Sequence, residues 1–366
     1  MPVSETQLPV PRRRDNALDA LRLLAVLLMM ASHTSRLIAW DKRRAWSFFS
    51  LLIEPLTAAL FLILVGASLA HSWLSARSRG VRRGAWYRKQ ALRAAGLWAI
   101  STLFYCLEEG GVHFPDAVTM SGILATIAYT ILMGMLLVSL PRPIPALAPI
   151  SAALLGLHQW LDLHAMRIFI VNAGNSPLLP LFLFACLGAA GALALEYGGR
   201  GTRAALVAAA LLTLALILRR HPFAEVFSKP LGRYETARII SIRNGNAQVD
   251  RSIPYYNLRP ILVPMIASMI VLAYALLALM RPVLDKAAKF LLPMGRHSLD
   301  AYILHLSLLA LLVVKFGQRP LGKAWQGDAV ILAVIAICYA WTAGRERLIR
   351  KRGTARRAGM RTDPAE

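Results

Sequence analysis

Apolar residues in this chain gather into long blocks, and charge gathers into short clusters between them. A helix rises about 1.5 Å per residue, so roughly 20 apolar residues cross the hydrocarbon of a bilayer. Blocks of about that length predict some ten spans, at 17–38, 48–75, 91–107, 117–140, 144–161, 178–196, 204–219, 258–280, 297–314 and 327–344. The expected fold is therefore all-α, a polytopic transmembrane helix bundle. One long polar connection, about 220–257, interrupts the series. Within it, Asn244-Gly245 separates two runs rich in Ile and Val, a β-hairpin signal. That loop is equally open to two readings, a solvated connector or a lid over an outward-facing site.

The polar clusters orient the spans. The most basic stretches are Arg77 to Arg93, "RSRGVRRGAWYRKQALR", and Gly344 to Arg361, "GRERLIRKRGTARRAGMR". An even number of spans puts both, and the N-terminus, on one side, and basic flanks mark that side as the cytoplasm. The connection "EEGGVHFPD", Glu108 to Asp116, has no Lys or Arg and then lies outside. "DKRR", Asp41 to Arg44, and the loop from Arg219 to Arg259 fit this orientation less well, although long loops obey the rule poorly. The expected organisation is a basic cytoplasmic segment at 1–16, a membrane domain at 17–345 and a basic cytoplasmic tail at 346–366.

Composition supports this picture. Of the 366 residues 57% are hydrophobic and 17% charged, with a mean hydropathy of +0.52. An ordinary soluble domain is about 25% charged. Lys and Arg number 42 against 19 Asp and Glu, a formal charge of +23. Such a balance also suits nucleic acid. Here the basic residues sit beside apolar spans, where they face anionic lipid headgroups, so membrane lipid and not nucleic acid is the expected partner. Three scattered cysteines, Cys106, Cys186 and Cys338, form neither a disulfide framework nor a metal motif, and no metal is expected. The first apolar run is too long for a cleavable leader and lacks a small-residue cleavage site after it. No small-residue stripe identifies a dimer seam, so oligomeric state is not readable.

Charges inside the spans carry the candidate chemistry. Arg12, Arg13 and Arg14 lead into "LDALRLLAVLLMMASHTSRL", Leu18 to Leu37, which holds Asp19, Arg22 and His33. Eleven steps from Arg22 to His33 make almost three turns, which places both on one helix face about 16 Å apart. A charge in lipid costs roughly 2.5–3.5 kcal/mol, so such groups face the bundle interior. Asp19, three residues before Arg22, can pair with it. His33 is the candidate general base, because imidazole titrates near neutral pH. A second stripe, "GRHSLDAYILHLSLL" at Gly295 to Leu309, puts Ser298, Tyr302 and His305 on one face. Ser298 reads as an interhelical hydrogen-bonding group, and His305 as a second catalytic or orienting group. Arg88, Lys89 and Arg93 are a cationic flank that also suits a multiply phosphorylated cytosolic donor. Glu108 and Glu109, at the far end of the third span, read as solvated, with an acceptor-orienting role open to one of them.

These residues resemble the transmembrane acyltransferase superfamily, which includes the acyltransferase-three proteins and the heparan-alpha-glucosaminide N-acetyltransferase type. Arg22 to His33 is similar to an "R-x10-H" motif. "FLILVGASLA" (Phe61 to Ala70), "SGILATIAYTIL" (Ser121 to Leu132), "SPLLPLFLFACLGAAGA" (Ser176 to Ala192) and "GRHSLDAYILHLSLL" resemble further segments of that superfamily, in order. The resemblance implies an integral, multi-pass membrane acyltransferase, expected in a bacterial cytoplasmic membrane. It would move acetyl from acetyl-CoA onto a carbohydrate or other cell-envelope acceptor. Arg22, Arg88, Lys89 and Arg93 would attract the CoA phosphates. His33 would take the acceptor proton, and Ser32, Tyr302 or His305 would face the oxyanion. The competing reading is a transporter of a glycan, lipid or small metabolite, with the intramembrane Arg and His as its pathway. That reading predicts two related halves or discontinuous helices at a central site, and no dependence on acyl-CoA; no internal repeat is visible in the sequence.

Overall fold

The chain is described here by a computed structural model covering residues 15–37, 44–109, 116–119, 122–164, 178–221, 239–243, 246–250, 260–316 and 324–359, with 112, 114, 168 and 171. Arg12 to Arg14, Asn244-Gly245 and the Glu108 and Glu109 side chains lie outside the described residues. The first eight helices are α1 (Asn16–Leu37), α2 (Arg44–Ser78), α3 (Arg83–Glu109), α4 (Asp116–Thr119), α5 (Ile123–Val138), α6 (Pro143–Leu163), α7 (Leu178–Tyr197) and α8 (Arg200–Arg220). The long loop carries an antiparallel pair, β1 (Ile239–Arg243) and β2 (Asn246–Asp250). Arg243 opposes Asn246 and Ile239 opposes Asp250, the register a two-residue connection requires. Then follow α9 (Leu262–Leu279), α10 (Arg281–Leu291), α11 (Pro293–Arg296), α12 (Ser298–Phe316) and α13 (Ala324–Gly359).

The fold is a polytopic helical bundle. Among the described residues, seven helices are long and apolar enough to cross a membrane: 16–34, 56–78, 143–163, 178–197, 201–220, 262–279 and 329–351. Two further expected spans are shorter apolar helices, Ile123–Val138 and Ser298–Leu312, and residues 91–107 lie inside α3. α13 runs unbroken through residue 346 to Gly359. The clearest mark of a lipid environment is α8. Its apolar window, Gly201–Arg220, is only 6% buried. A helix that apolar with so little protein around it needs hydrocarbon on its other sides.

Contacts divide the chain into two compact units, one containing residues 54–273 and the other residues 15–53 and 274–366. In the first, α3 packs on α5, α5 and α6 pack on α7, and α2 meets α7 through glycine. A Cβ at Gly66 would run into the Ala185 carbonyl, and one at Gly188 into the Ile63 carbonyl. The two helices thus touch backbone to backbone, and the resembling segments 61–70 and 176–192 are partners in one contact. Gly66→Ala should therefore cost about 1–3 kcal/mol by overpacking. Gly96→Ala, on exposed α3 where nothing lies within 4 Å of the added carbon, should be neutral or mildly stabilising. A lowered thermal midpoint for Gly66→Ala beside an unchanged or raised one for Gly96→Ala, the same chemical change, would check the contact.

Polar bonds collect at the basic end of this unit. Ser72 Oγ accepts from Trp86 Nε1 and from Gln90 Nε2, each at 3.1 Å, tying α3 to α2. Ser139 Oγ, just past α5, accepts from Arg83 Nη2 at 2.9 Å and lies 2.6 Å from Tyr87 Oη.

Candidate active site

The second unit packs α1 against α10, α11, α12 and α13. Small residues let α1 sit deep: Ala17, Ala20 and Ala25 are buried, with Val26, Met29 and Met30 further along. Gly295 of α11 lies against the Asp19 carbonyl, where a side-chain carbon would not fit. This close approach brings the polar stripe of α12 alongside the polar face of α1.

At one end of that face stands the ion pair expected from the sequence. Arg22 Nη1 lies 2.5 Å from Asp19 Oδ1, and Asp19 is fully buried. A residue missed at the sequence level holds the rest together. Arg296 places Nη1 2.6 Å from Glu346 Oε1 on α13 and donates from Nη2 to Asn16 Oδ1 at 3.2 Å. Its Nε lies 3.5 Å from Asp19 Oδ2. Asn16 in turn donates to Asp285 Oδ1 of α10 at 2.6 Å, and Arg350 bonds Glu346 Oε1 at 2.5 Å. One guanidinium therefore joins α1, α11 and α13. Arg345 also pairs with Asp300 of α12.

Further along, the two histidines meet. His33 Nδ1 is 3.0 Å from His305 Nε2, with ring planes 23° apart. His305 is fully buried, and its Nδ1 lies 3.3 Å from the Ala301 carbonyl. A carbonyl only accepts, so that bond puts the proton of neutral His305 on Nδ1. His305 Nε2 then accepts from His33 Nδ1–H, and His33 Nε2 bears the lone pair. Cys338 Sγ of α13 also reaches the Ala301 carbonyl, at 3.7 Å. Tyr302 is buried edge-on to both imidazoles, with centroids 5.1 Å from His305 and 6.4 Å from His33. The arrangement fixes one ring by a backbone group and the other by the first ring. Chemically, it is a histidine pair with a defined proton-accepting nitrogen.

Asp19, Arg22, His33, Tyr302 and His305 thus share one unit. Ser298, at the start of α12, is half-buried there. Arg88, Lys89 and Arg93 are on α3, in the other unit, and all three are exposed. Among the described residues no group of His, Cys, Asp and Glu could hold a metal ion.

A family model described as heparan-alpha-glucosaminide N-acetyltransferase, catalytic, matches residues 14–222, more than half of the chain. The chain belongs to that family. Membership makes it an integral membrane protein of an acetyltransferase class. No curated protein matches the chain. The N-acetyltransferase match takes in Arg22, His33, Arg88, Lys89 and Arg93, and it ends before Arg296, Tyr302 and His305. Four of the five resembling segments fall inside it. The fifth, Gly295 to Leu309, supplies the groups that bond His33 and Asp19.

Proposed function

We propose that this chain is an acetyltransferase of a bacterial cytoplasmic membrane that moves acetyl from acetyl-CoA, on the cytoplasmic side, onto a carbohydrate or other cell-envelope acceptor. The observation that carries this reading is the His33–His305 bond, made by a histidine inside the N-acetyltransferase match. His33 Nε2 takes the proton from the acceptor hydroxyl or amine as that group attacks the thioester carbonyl. The carbon–sulfur bond breaks, and His33 returns the proton to the CoA thiolate. His305, with Nδ1 committed to Ala301 and Nε2 accepting, holds the base in its tautomer. It has no N–H left for the oxyanion, which leaves Tyr302 Oη and Ser32 Oγ as donors.

Within its own unit Arg22, at the opposite end of the α1 face from His33, is the candidate cation for the donor; on α3, Arg88, Lys89 and Arg93 are the candidates the sequence offers for the CoA phosphates. Ten spans with both termini in the cytoplasm complete the reading, with the basic segment 1–16 and tail 346–366 on that side. Support comes from Arg296, which gathers the starts of α1 and α12 and the basic half of α13 at one end of their unit.

The test is direct. Purified protein is incubated with labelled acetyl-CoA and extracts of cell-envelope glycan, and label is followed into the glycan. Transfer is expected. Its absence with every glycan fraction, together with no CoA-dependent rise in thermal midpoint, would overturn the proposal. A ligand at 100 times its Kd stabilises the native state by about 2.7 kcal/mol, so binding would be visible.

A further inference from the structure

The eleven residues of α10, "RPVLDKAAKFL", sort into three edges at 3.6 residues per turn. Leu284 and Ala288 form the first edge and are buried against Ala17 and Ala20 of α1. Val283 and Phe290, seven residues apart, form the second; they are 58% and 74% exposed. Lys286 and Lys289, three residues apart and both exposed, form the third. The helix's one acidic residue, Asp285, points inward and bonds Asn16, so the outward charge is purely cationic. The apolar edge continues into α9, where Leu276 and Leu279 are exposed on a membrane-length helix. Large apolar side chains beside lysines, just past the end of a span, are the pattern of a helix lying in a membrane interface.

We propose that α10 lies in the plane of the membrane surface, with Val283 and Phe290 in the upper acyl region and Lys286 and Lys289 on the headgroup of an anionic phospholipid. Charge complementarity selects the occupant. Two lysines with no outward acid favour a phosphodiester with net negative charge over a zwitterionic headgroup, and the continuous apolar edge requires that the phosphate carry acyl chains. A second copy of the chain would have to cover these lysines with acids. The inference depends on the chain being a membrane protein and not on its reaction.

Phe290→Trp reports on it. The variant is reconstituted in phosphatidylcholine alone or mixed with phosphatidylglycerol, with bromine on the acyl chains of one lipid at a time. The natural chain has 8 tryptophans, so the new signal is read as the difference from wild type. Bromines near the glycerol backbone should quench the introduced indole more than bromines near the methyl end. Brominated phosphatidylglycerol should quench more than brominated phosphatidylcholine at equal content. Lys286→Gln and Lys289→Gln in that background should each lower this preference by about fivefold. Val283→Trp serves as the second probe if the first variant does not fold. Equal quenching by the two lipids, unaffected by the lysine changes, would overturn the headgroup site. Emission of a water-exposed indole without quenching would overturn the interfacial placement. A shielded, unquenched indole in a particle of doubled mass would show that a second copy covers the face, and would also overturn it.

Discussion

Replacing His33 by alanine should lower acetyl transfer by about two to four orders of magnitude, the usual worth of a positioned general base. The loss should fall on kcat, because no CoA-binding role is assigned to the imidazole. The same change should alter stability modestly. His33 is only half-buried, and its bond to His305 joins it to a neutral partner that keeps its own backbone bond to Ala301. His305→Gln is the informative companion, since its amide oxygen can accept from His33 Nδ1–H as the imidazole does. It should retain more activity than His305→Ala. Steady-state rates of the three purified variants, each with a thermal midpoint within a few degrees of wild type, provide the check. A His33→Ala protein within fivefold of wild type would end the general-base assignment.

Replacing Arg296 by methionine, of similar volume, should destabilise the protein by about 3–5 kcal/mol. The arginine stands at the junction of α1, α11 and α13, and its loss leaves Glu346 and Asp19 short of a partner at low exposure. Asp19 keeps Arg22 and Glu346 keeps Arg350, so the effect should be smaller in an Arg296→Met, Glu346→Gln double variant than the sum of the two single effects. The expected drop in thermal midpoint is on the order of 10 °C. An unchanged midpoint would mean that the network is incidental to the packing of α1. Arg296→Lys should recover only part of the loss, because a lysine cannot fork between Glu346 and Asn16.

Local physics made much of this molecule legible in the sequence. Apolar block length located the helices, because crossing hydrocarbon fixes a minimum run. Helical periodicity placed Arg22 with His33, and Tyr302 with His305, each pair on one helix. The Asp19–Arg22 pair, three residues apart, followed from the same geometry. What the sequence withheld was long-range. His33 and His305 are 272 positions apart, and Arg296 and Asn16 are 280 apart. No periodicity links such residues without the fold. Arg296 stands inside the polar-striped segment, beside Gly295, which is needed for close approach to α1, yet only the fold brings it to Asn16 and Glu346. The α10 helix escaped for a different reason. A search for runs of about 20 apolar residues rejects any segment with two lysines, and α10 needs only a three-edged pattern over eleven.

The exposure of α8 bears on how the protein must be handled. A helix with 6% of its apolar window covered by protein is held in place by acyl chains, and solubilisation replaces those chains first. Short-chain detergents, whose micelles are thin and exchange quickly, should loosen α8 before they disturb the glycine-locked contact of α2 with α7. Extraction in a long-chain maltoside with added phospholipid, or directly into polymer-bounded discs, keeps that missing solvent in the preparation. Loss of activity on purification would then report a stripped annulus, not a damaged site.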